Sequence, residues 1–392
     1  MLRGLLLSAT LSIGLPAAGC GGSDGGTTPG GPGPWLGFRE ARAYPAGGSS
    51  VTSLVACDVT NDGVLDLVAV GRAEAVRVLP GAANGTFGAP SAPYAAGNDA
   101  LRAAVGDVDG DGTQDLVVIG HFDNAFHVRR GLGGGQYGEA VRYALRNHGR
   151  QLVVADLNGD HFDDVVAVHD GSGQPIWVSV FLGTAGGALR PTWELGTQYT
   201  TSRKAVVGDF DADGRRDVAI GAADDRASLL VFRGLGTGEL TAPLALPPAP
   251  VSTPGASDGT DGVAAADLND DGRDDLVVAH SDPARVTVRI ATASGFEGPR
   301  LLAAPPSAEV ALADVDDDGR LDAVVSHFES GTISIFPGLG GGSFGAARAF
   351  PAGPAPTQLV VADFDRDGLP DVAVASAGDG QVRVLMNRGK QP

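Results

Sequence analysis

The sequence predicts an all-β chain: a seven-bladed β-propeller of four-stranded antiparallel blades, its ring closed by an N-terminal strand (about residues 36–45) that completes blade 7. Three observations predict it. First, an acidic nonapeptide of the form D-x-(D/N)-x-D-G-x-x-D, followed by an apolar β-rich run, recurs from Asp58, Asp107, Asp156, Asp209, Asp267, Asp314 and Asp363, in steps of 49, 49, 53, 58, 47 and 49 residues. A unit of ~50 residues is too small to bury a core alone, so a near-constant period of that length means neighbouring units share their cores. Second, each unit reads as four short strands. Third, the two ends of the chain complement each other.

The last unit is the clearest. Gln358–Asp363 is an apolar, β-branched first strand; Asp363–Asp371 is the acidic loop; Val372–Ala375 is a second strand; Gly378-Asp379-Gly380 is a hairpin turn; and Val382–Met386 alternates as a third strand. Other units continue through a Gly-rich turn and a Phe-Gly pair into a fourth strand, as at Gly85-Thr86-Phe87-Gly88 and Gly342-Ser343-Phe344-Gly345. The seventh unit stops after its third strand. Its missing fourth strand reappears near the N-terminus, where Ala41–Gly47 matches Ala347–Gly353 of the sixth unit at six of seven positions and Phe38 falls in register with Phe344. An open solenoid would not need that strand; a closed ring does, and closure leaves only short outer edges exposed. The expected blades are about 51–99, 100–149, 150–201, 202–259, 260–306, 307–355 and 356–389 plus 35–48, within one propeller spanning 35–392.

Residues 1–19 read as an export signal. Arg3 precedes an apolar stretch from Leu5 to about Pro16, too short to span a membrane, which ends in Ala17-Ala18-Gly19-Cys20. That ending resembles a bacterial lipobox, with Ala17 where Leu is more usual, and implies lipidation of Cys20. Residues 20–34 form a Gly/Pro tether with a reach of about 20 Å. Gly21 after the Cys suits sorting to the outer membrane, so the expected location is the bacterial cell envelope, with membrane contact only through the lipid. Cys57 lies inside a strand and reads as a small buried apolar residue.

The net charge of −19 is concentrated in the repeats. The set expected to hold metal is Asp58, Asp62 and Asp66 in loop 1; Asp107, Asp109, Asp111 and Asp115 in loop 2; Asp156, Asn158, Asp160 and Asp164 in loop 3; Asp209, Asp211, Asp213 and Asp217 in loop 4; Asp267, Asn269, Asp271 and Asp275 in loop 5; Asp314, Asp316, Asp318 and Asp322 in loop 6; and Asp363, Asp365, Asp367 and Asp371 in loop 7. Converging oxygens at positions 1, 3, 5 and 9 suit Ca²⁺, which takes six to eight oxygens, better than Mg²⁺, which keeps its waters. Without a cation the carboxylates would repel. An EF-hand is excluded, because position 12 holds Ala69, Val118, Ala167, Ile220, Val278, Val325 and Val374 instead of Glu. Up to seven ions are expected, with the Asp156 loop the poorest, since Asn158 replaces a carboxylate and His161 stands where the turn wants glycine. Acidity at these loops argues against nucleic acid as a partner.

No nucleophile elbow, phosphate loop or zinc His pair is present, so no catalytic residues are assigned. His169, His280 and His327 recur 13 residues after the first Asp of their repeats, with His121 at 14. All are expected at the end of the second strand, on the face opposite the acidic loops. The connections to each next blade reach that same face and vary most between repeats. They hold Arg102, His148, Arg150, Tyr199, Arg203 and Lys204, and the longest is Pro247–Gly262. Loops on a rigid scaffold concentrate binding residues. Arg102, His148, Arg150, Arg203 and Lys204 are therefore the candidate ligand contacts.

The acidic loops, Phe87-Gly88-Ala89-Pro90, Tyr137-Gly138, Phe344-Gly345 and hairpins such as Val78-Leu79-Pro80-Gly81 resemble FG-GAP/VCBS repeats, the family of the integrin α-subunit propeller. The resemblance covers about residues 36–389. It departs from the pattern at Ala188-Leu189 and Glu239-Leu240, which replace Phe-Gly. It implies a binding or adhesion role, for a protein or polysaccharide ligand. The resulting expectation is an exported, monomeric, calcium-stabilised binding module. A polysaccharide lyase or hydrolase built on a propeller, and a purely structural envelope component, are the alternatives.

Overall fold

The computed structural model describes residues 34–391 except 72–74, 96–99, 171–173, 225 and 251–259. Cys20, the export signal and most of the tether lie outside the described residues, as does the middle of the 247–262 connection. The architecture is all-β, with seven antiparallel sheets arranged in a ring. The innermost strands are Val51–Cys57, Ala100–Gly106, Gly149–Ala155, Ser202–Gly208, Thr260–Ala266, Glu309–Ala313 and Pro356–Ala362. They surround a narrow central channel lined by residues of all seven. Each then turns through its acidic loop into a second strand that begins on the position-9 Asp, the first being Asp66–Gly71 and the last Asp371–Ser376. Blade 1 is the thinnest: its fourth strand is reduced to an antiparallel bridge between Val76 and Tyr94.

Closure occurs as the terminal sequences require. Arg42–Pro45 pairs antiparallel with the third strand of blade 7, Arg42 opposite Val384 and Pro45 opposite Gln381. Bridges Trp35–Lys390 and Phe38–Asn387 extend the seam. Trp35, Phe38 and Phe350 meet edge to face, and the Trp35 indole N–H donates to Asn387 Oδ1 at 2.8 Å. The two ends are thus held by apolar burial together with a satisfied polar anchor.

The core explains why one repeat could not fold alone. It is split into seven clusters, each lying between two neighbouring blades. The aromatic of the Phe-Gly hairpin takes part. Phe87 packs edge-on against Phe364, position 2 of loop 7, and Phe296, at the equivalent place although Glu297 follows it, packs against Phe210, position 2 of loop 4. Leu189 and Leu240, which replace the aromatic, are buried, and Leu240 keeps the bridge to Gly234 that Phe87 makes to Gly81. The departures therefore preserve the packing role with a smaller side chain.

Innermost strands carry one irregularity that the sequence does not announce. In six of the seven blades the pairing with the second strand slips near the end remote from the acidic loop, between Val51 and Ser53, Ala100 and Arg102, Ser202 and Ala205, Thr260 and Gly262, and Pro356 and Gln358, and opposite Val168 and His169 in blade 3. A β-bulge re-aims side chains at the rim of a barrel or channel. In blades 2, 3 and 4 it sets Arg102, Arg150 and Arg203 at the channel mouth.

Candidate functional site

Each acidic loop is built around two of its aspartates. The position-1 carboxylate accepts the position-6 amide in every repeat, as in Gly63 to Asp58 Oδ2 at 2.7 Å and Gly319 to Asp314 Oδ2 at 2.8 Å. The position-9 carboxylate is buried and bridges two strands. In loop 6, Asp322 Oδ2 accepts Val315 N–H at 2.9 Å and Oδ1 accepts Gly338 N–H, beyond the third strand, at 2.7 Å. The same pair of bonds recurs at Asp66, Asp115, Asp164, Asp217, Asp275 and Asp371. Position 5 accepts the position-7 amide, for example Arg320 N–H on Asp318 Oδ1.

Carboxylate oxygens from positions 1, 3 and 9 converge within 4.8 Å in loops 2, 4, 6 and 7: Asp107, Asp109 and Asp115; Asp209, Asp211 and Asp217; Asp314, Asp316 and Asp322; Asp363, Asp365 and Asp371. These are the repeats with Asp at position 3, and such Asp-rich groups could hold metal ions. The donor set is all oxygen, as a hard cation requires. Asp211 Oδ1 and Asp316 Oδ1 are buried and accept no hydrogen bond, which is costly unless a cation lies between the carboxylates. Burial pushes Asp115, Asp164, Asp322 and Asp371 up to about 7 and Asp275 to about 6, because each charged form lacks solvent. The residues therefore fit a divalent ion. In loops 3 and 5 the position-3 amide instead donates within the loop, from Asn158 to Asp160 Oδ2 at 2.9 Å and from Asn269 to Asp271 Oδ2 at 3.3 Å.

Backbone strain distinguishes loop 3. Position 6 is left-handed in all seven loops, and His161 occupies it at φ +73°, where a β-carbon is disfavoured. His161→Gly is expected to raise stability by about 1 kcal/mol, read as a rise in melting temperature; an unchanged or lower value would show that the loop tolerates the β-carbon. Position 4 is left-handed as well, at Asn61, Gly110, Gly159, Ala212, Asp270, Asp317 and Arg366.

The opposite face differs from the sequence-based expectation. Arg102, Arg150, Arg203 and Lys204 lie in the innermost strands, not in the connections; the bulges bring the first three to the channel mouth, and Lys204 lines the channel below it. Arg150 Nε donates to buried Asp170 Oδ1 at 2.6 Å. Lys204 is buried and is held by Glu309, across the channel on blade 6, at 2.8 Å, so it is a structural plug and not a free ligand contact. Arg102 Nη1 donates to the Thr52 carbonyl at 2.8 Å and lines both the channel and the mouth. Arg203 is exposed. His148 does lie in a connection, and it packs against His121 and Phe122. Tyr199 belongs to the fourth strand of blade 3 and lies beneath the Arg226 guanidinium. His169, His280 and His327 are buried inside blades rather than on the face: each ring Nε2 meets a hydroxyl of the third strand, Ser179, Thr287 and Ser334, at 2.9, 2.9 and 2.8 Å. They are packing residues inherited with the repeat.

Sequence comparison finds the FG-GAP-like repeat over residues 58–118, 107–167, 156–220, 209–278 and 314–374, each match running from one acidic loop through the next. The chain belongs to the FG-GAP-like repeat family. No curated protein matches it. Among solved structures, BBS1N in complex with ARL6DN, soaked with lead, is similar with a TM-score of 0.62 at 12% identity, covering 91% of this chain and 97% of that one. The same complex soaked with mercury gives 0.60 at 12% identity, with the same coverage. At that identity the likeness concerns the fold.

Within the FG-GAP-like repeats of this chain, the innermost strands differ most in polarity five residues before each loop. That position holds Ser53, Arg102, Gln151, Lys204, Gly262, Glu309 and Gln358. Three residues before the loop every repeat is apolar: Val55, Ala104, Val153, Val206, Ala264, Ala311 and Val360. A ring that is polar at six of its seven positions, Gly262 being the exception, thus caps an apolar channel. The signal that could have revealed it is a charged residue inside an otherwise apolar strand, repeated at one offset. Cys57 is buried with its thiol pushed up to about 12 by desolvation, so it is inert.

Proposed function

We propose that the chain is an exported, calcium-stabilised propeller that acts as a binding module at the cell envelope, with its ligand, a protein or glycan, on the face opposite the acidic loops. The observation that carries this reading is the channel mouth: a cavity of about 420 Å³ lined by Arg102, Arg150 and Arg203, set there by bulges repeated from blade to blade. The acidic loops lie at the other end of every blade and are tied into its hydrogen bonding, which supports a stabilising role for the metal. Calcium is favoured over magnesium because three carboxylates converge at each of these loops, whereas magnesium is usually held through one or two carboxylates and keeps several of its waters. A similar propeller, BBS1N, is found in complex with ARL6DN, which supports a protein as one ligand class. Lipidation at Cys20 and the Gly/Pro tether would hold the propeller to the membrane, probing outward as a monomer.

Binding is favoured over catalysis by the Ser179–His169 pair. Glu194 accepts from the Ser179 hydroxyl at 3.2 Å instead of orienting the imidazole, and the His169 ring is buried with its pKa lowered to about 4 by desolvation. A buried neutral imidazole with no carboxylate orienting it is a poor base for activating that hydroxyl. Arg203→Glu is the clean test of the face, since Arg150 also neutralises Asp170. In pull-downs and glycan arrays with the full chain, the substitution is expected to weaken ligand capture by roughly tenfold or more at an unchanged melting temperature. Undiminished capture would move the ligand site elsewhere.

A further inference from the structure

The channel mouth segregates charge around the ring. Its basic arc, Arg102, Arg150 and Arg203, comes from blades 2 to 4; its acidic arc, Asp261 and Glu329, comes from blades 5 and 6, beside the half-exposed ring of Phe328. Several of these charges are already matched. Arg150 holds Asp170, and Lys204 below the mouth holds Glu309. What remains is unequal across the opening. Arg203 is exposed and enters no ion pair among the described residues, and Arg102 has only Nη1 bonded, to the backbone carbonyls of Thr52 and Leu101. Facing them, Glu329 is exposed and without an ion pair among the described residues, and Asp261 uses one oxygen, Oδ2, on the Ser281 amide.

A simple anion would meet the basic arc but be opposed by Asp261 and Glu329; a simple cation would meet the reverse. Complementarity demands both signs in one ligand. Arg203 and Asp261 occupy equivalent positions on adjacent blades, six residues before their loops, so the two signs are presented side by side. The cavity volume falls within the range of small-ligand pockets. We propose that the mouth binds a small zwitterion with an apolar side group, a free amino acid or short unblocked peptide, its carboxylate on Arg102 and Arg203, its ammonium on Asp261 and Glu329, and its side chain against Phe328. This rests on the reading that the face opposite the acidic loops is the ligand face, and it names the chemistry recognised there.

Isothermal titration calorimetry on the full chain in calcium, with leucyl-leucine, its N-acetyl form and its C-terminal amide, tests it. Leucyl-leucine is expected to bind, and each blocked form to bind at least roughly tenfold more weakly. Arg203→Glu and Asp261→Asn are expected to weaken the unblocked peptide by a similar factor without lowering the melting temperature; Asn keeps an acceptor for Ser281. Equal binding of all three peptides, weakening by only one of the two blocks, indifference to both substitutions, or no heat at millimolar peptide would overturn the proposal. If the peptide fails while Arg203→Glu still abolishes capture of a macromolecule, the zwitterion falls and the binding face stands; if Arg203→Glu affects neither, both fall.

Discussion

Chelating divalent cations is expected to lower the melting temperature of the protein by about 20 °C. Loops 2, 4, 6 and 7 each bring three carboxylates together. An ion that binds only the folded form at a hundredfold excess over Kd contributes about 2.7 kcal/mol, so four contribute on the order of 10 kcal/mol. For a domain of this size, roughly 2 °C accompanies each kcal/mol. The four loops should not fill equally. In loop 2, Arg130 Nη1 lies 2.8 Å from Asp109 Oδ2, and in loop 4, Arg233 lies 2.7 Å from Asp217 and 3.5 Å from Asp211. Those guanidiniums compete with the ion for the same oxygens. Among the described residues no arginine forms an ion pair with the position-3 or position-9 carboxylates of loops 6 and 7, where Lys390 and Arg39 act on Asp316 and Asp365 only through space, so these two should fill first. Thermal melts with and without EDTA, with elemental analysis of the purified protein, check the claim. An unchanged melt and no bound calcium would sink it.

Acidity separates the two forms further. The carboxyls of Asp115, Asp322 and Asp371 sit at about 7 in the metal-free fold, against a usual value near 3.8. Between these limits the native state binds more protons than the unfolded chain, so metal-free stability falls as pH rises from about 4 to about 7 and is flat above. A bound cation reverses the preference by stabilising the charged carboxylates. In the EDTA-treated protein the melting temperature should therefore rise from pH 7 to pH 5, while in calcium, where these carboxyls stay charged in both the folded and unfolded states until pH nears their usual value of 3.8, it should stay nearly flat over the same range. Asp224, held at about 2 by the Arg226 guanidinium, loses its contribution only below that window and does not interfere.

Blade number, closure and loop positions were legible because each depends on a residue type recurring at a fixed offset. Asp at positions 1 and 9 and the match of Ala41–Gly47 to Ala347–Gly353 are of this kind. Other features had no such mark. The left-handed turn at position 4 is met by Asn61, Gly110, Ala212, Asp270 and Arg366, which share no side-chain property; the hydrogen bonds of the loop impose the conformation whatever residue is present. Arg102, Arg150 and Arg203 look like loop residues in sequence because a charge at the edge of an apolar run normally ends a strand. The bulges allow the strand to continue while those side chains turn to the mouth. The Lys204–Glu309 pair joins residues 105 apart, on blades that are not neighbours, and ring geometry alone brings them together.

Among single substitutions, loss of a position-9 aspartate should be the most damaging. Asp322 is fully buried; its Oδ2 accepts from Val315 at 2.9 Å and from Asp316 at 3.3 Å, and its Oδ1 accepts from Gly338 at 2.7 Å. Asp322→Ala strands three backbone donors where water cannot reach them. At about 1–3 kcal/mol for each unsatisfied group, the expected loss is roughly 3 kcal/mol or more before any metal is counted. Asp322→Asn retains one acceptor and should lose less than Asp322→Ala, though still something, because its amide nitrogen turns a donor toward a donor. Asp318→Ala, at exposed position 5 of the same loop, removes the acceptor for the Arg320 amide, which can turn to solvent, and should cost well under half as much. Urea unfolding of the three variants in EDTA isolates the hydrogen-bonding role from the metal. If Asp322→Ala and Asp318→Ala were equally destabilising there, position 9 would be an ordinary ligand; the expected gap makes it the joint that holds the innermost, second and third strands of the blade together, with the ion bound to a frame that the joint has already set.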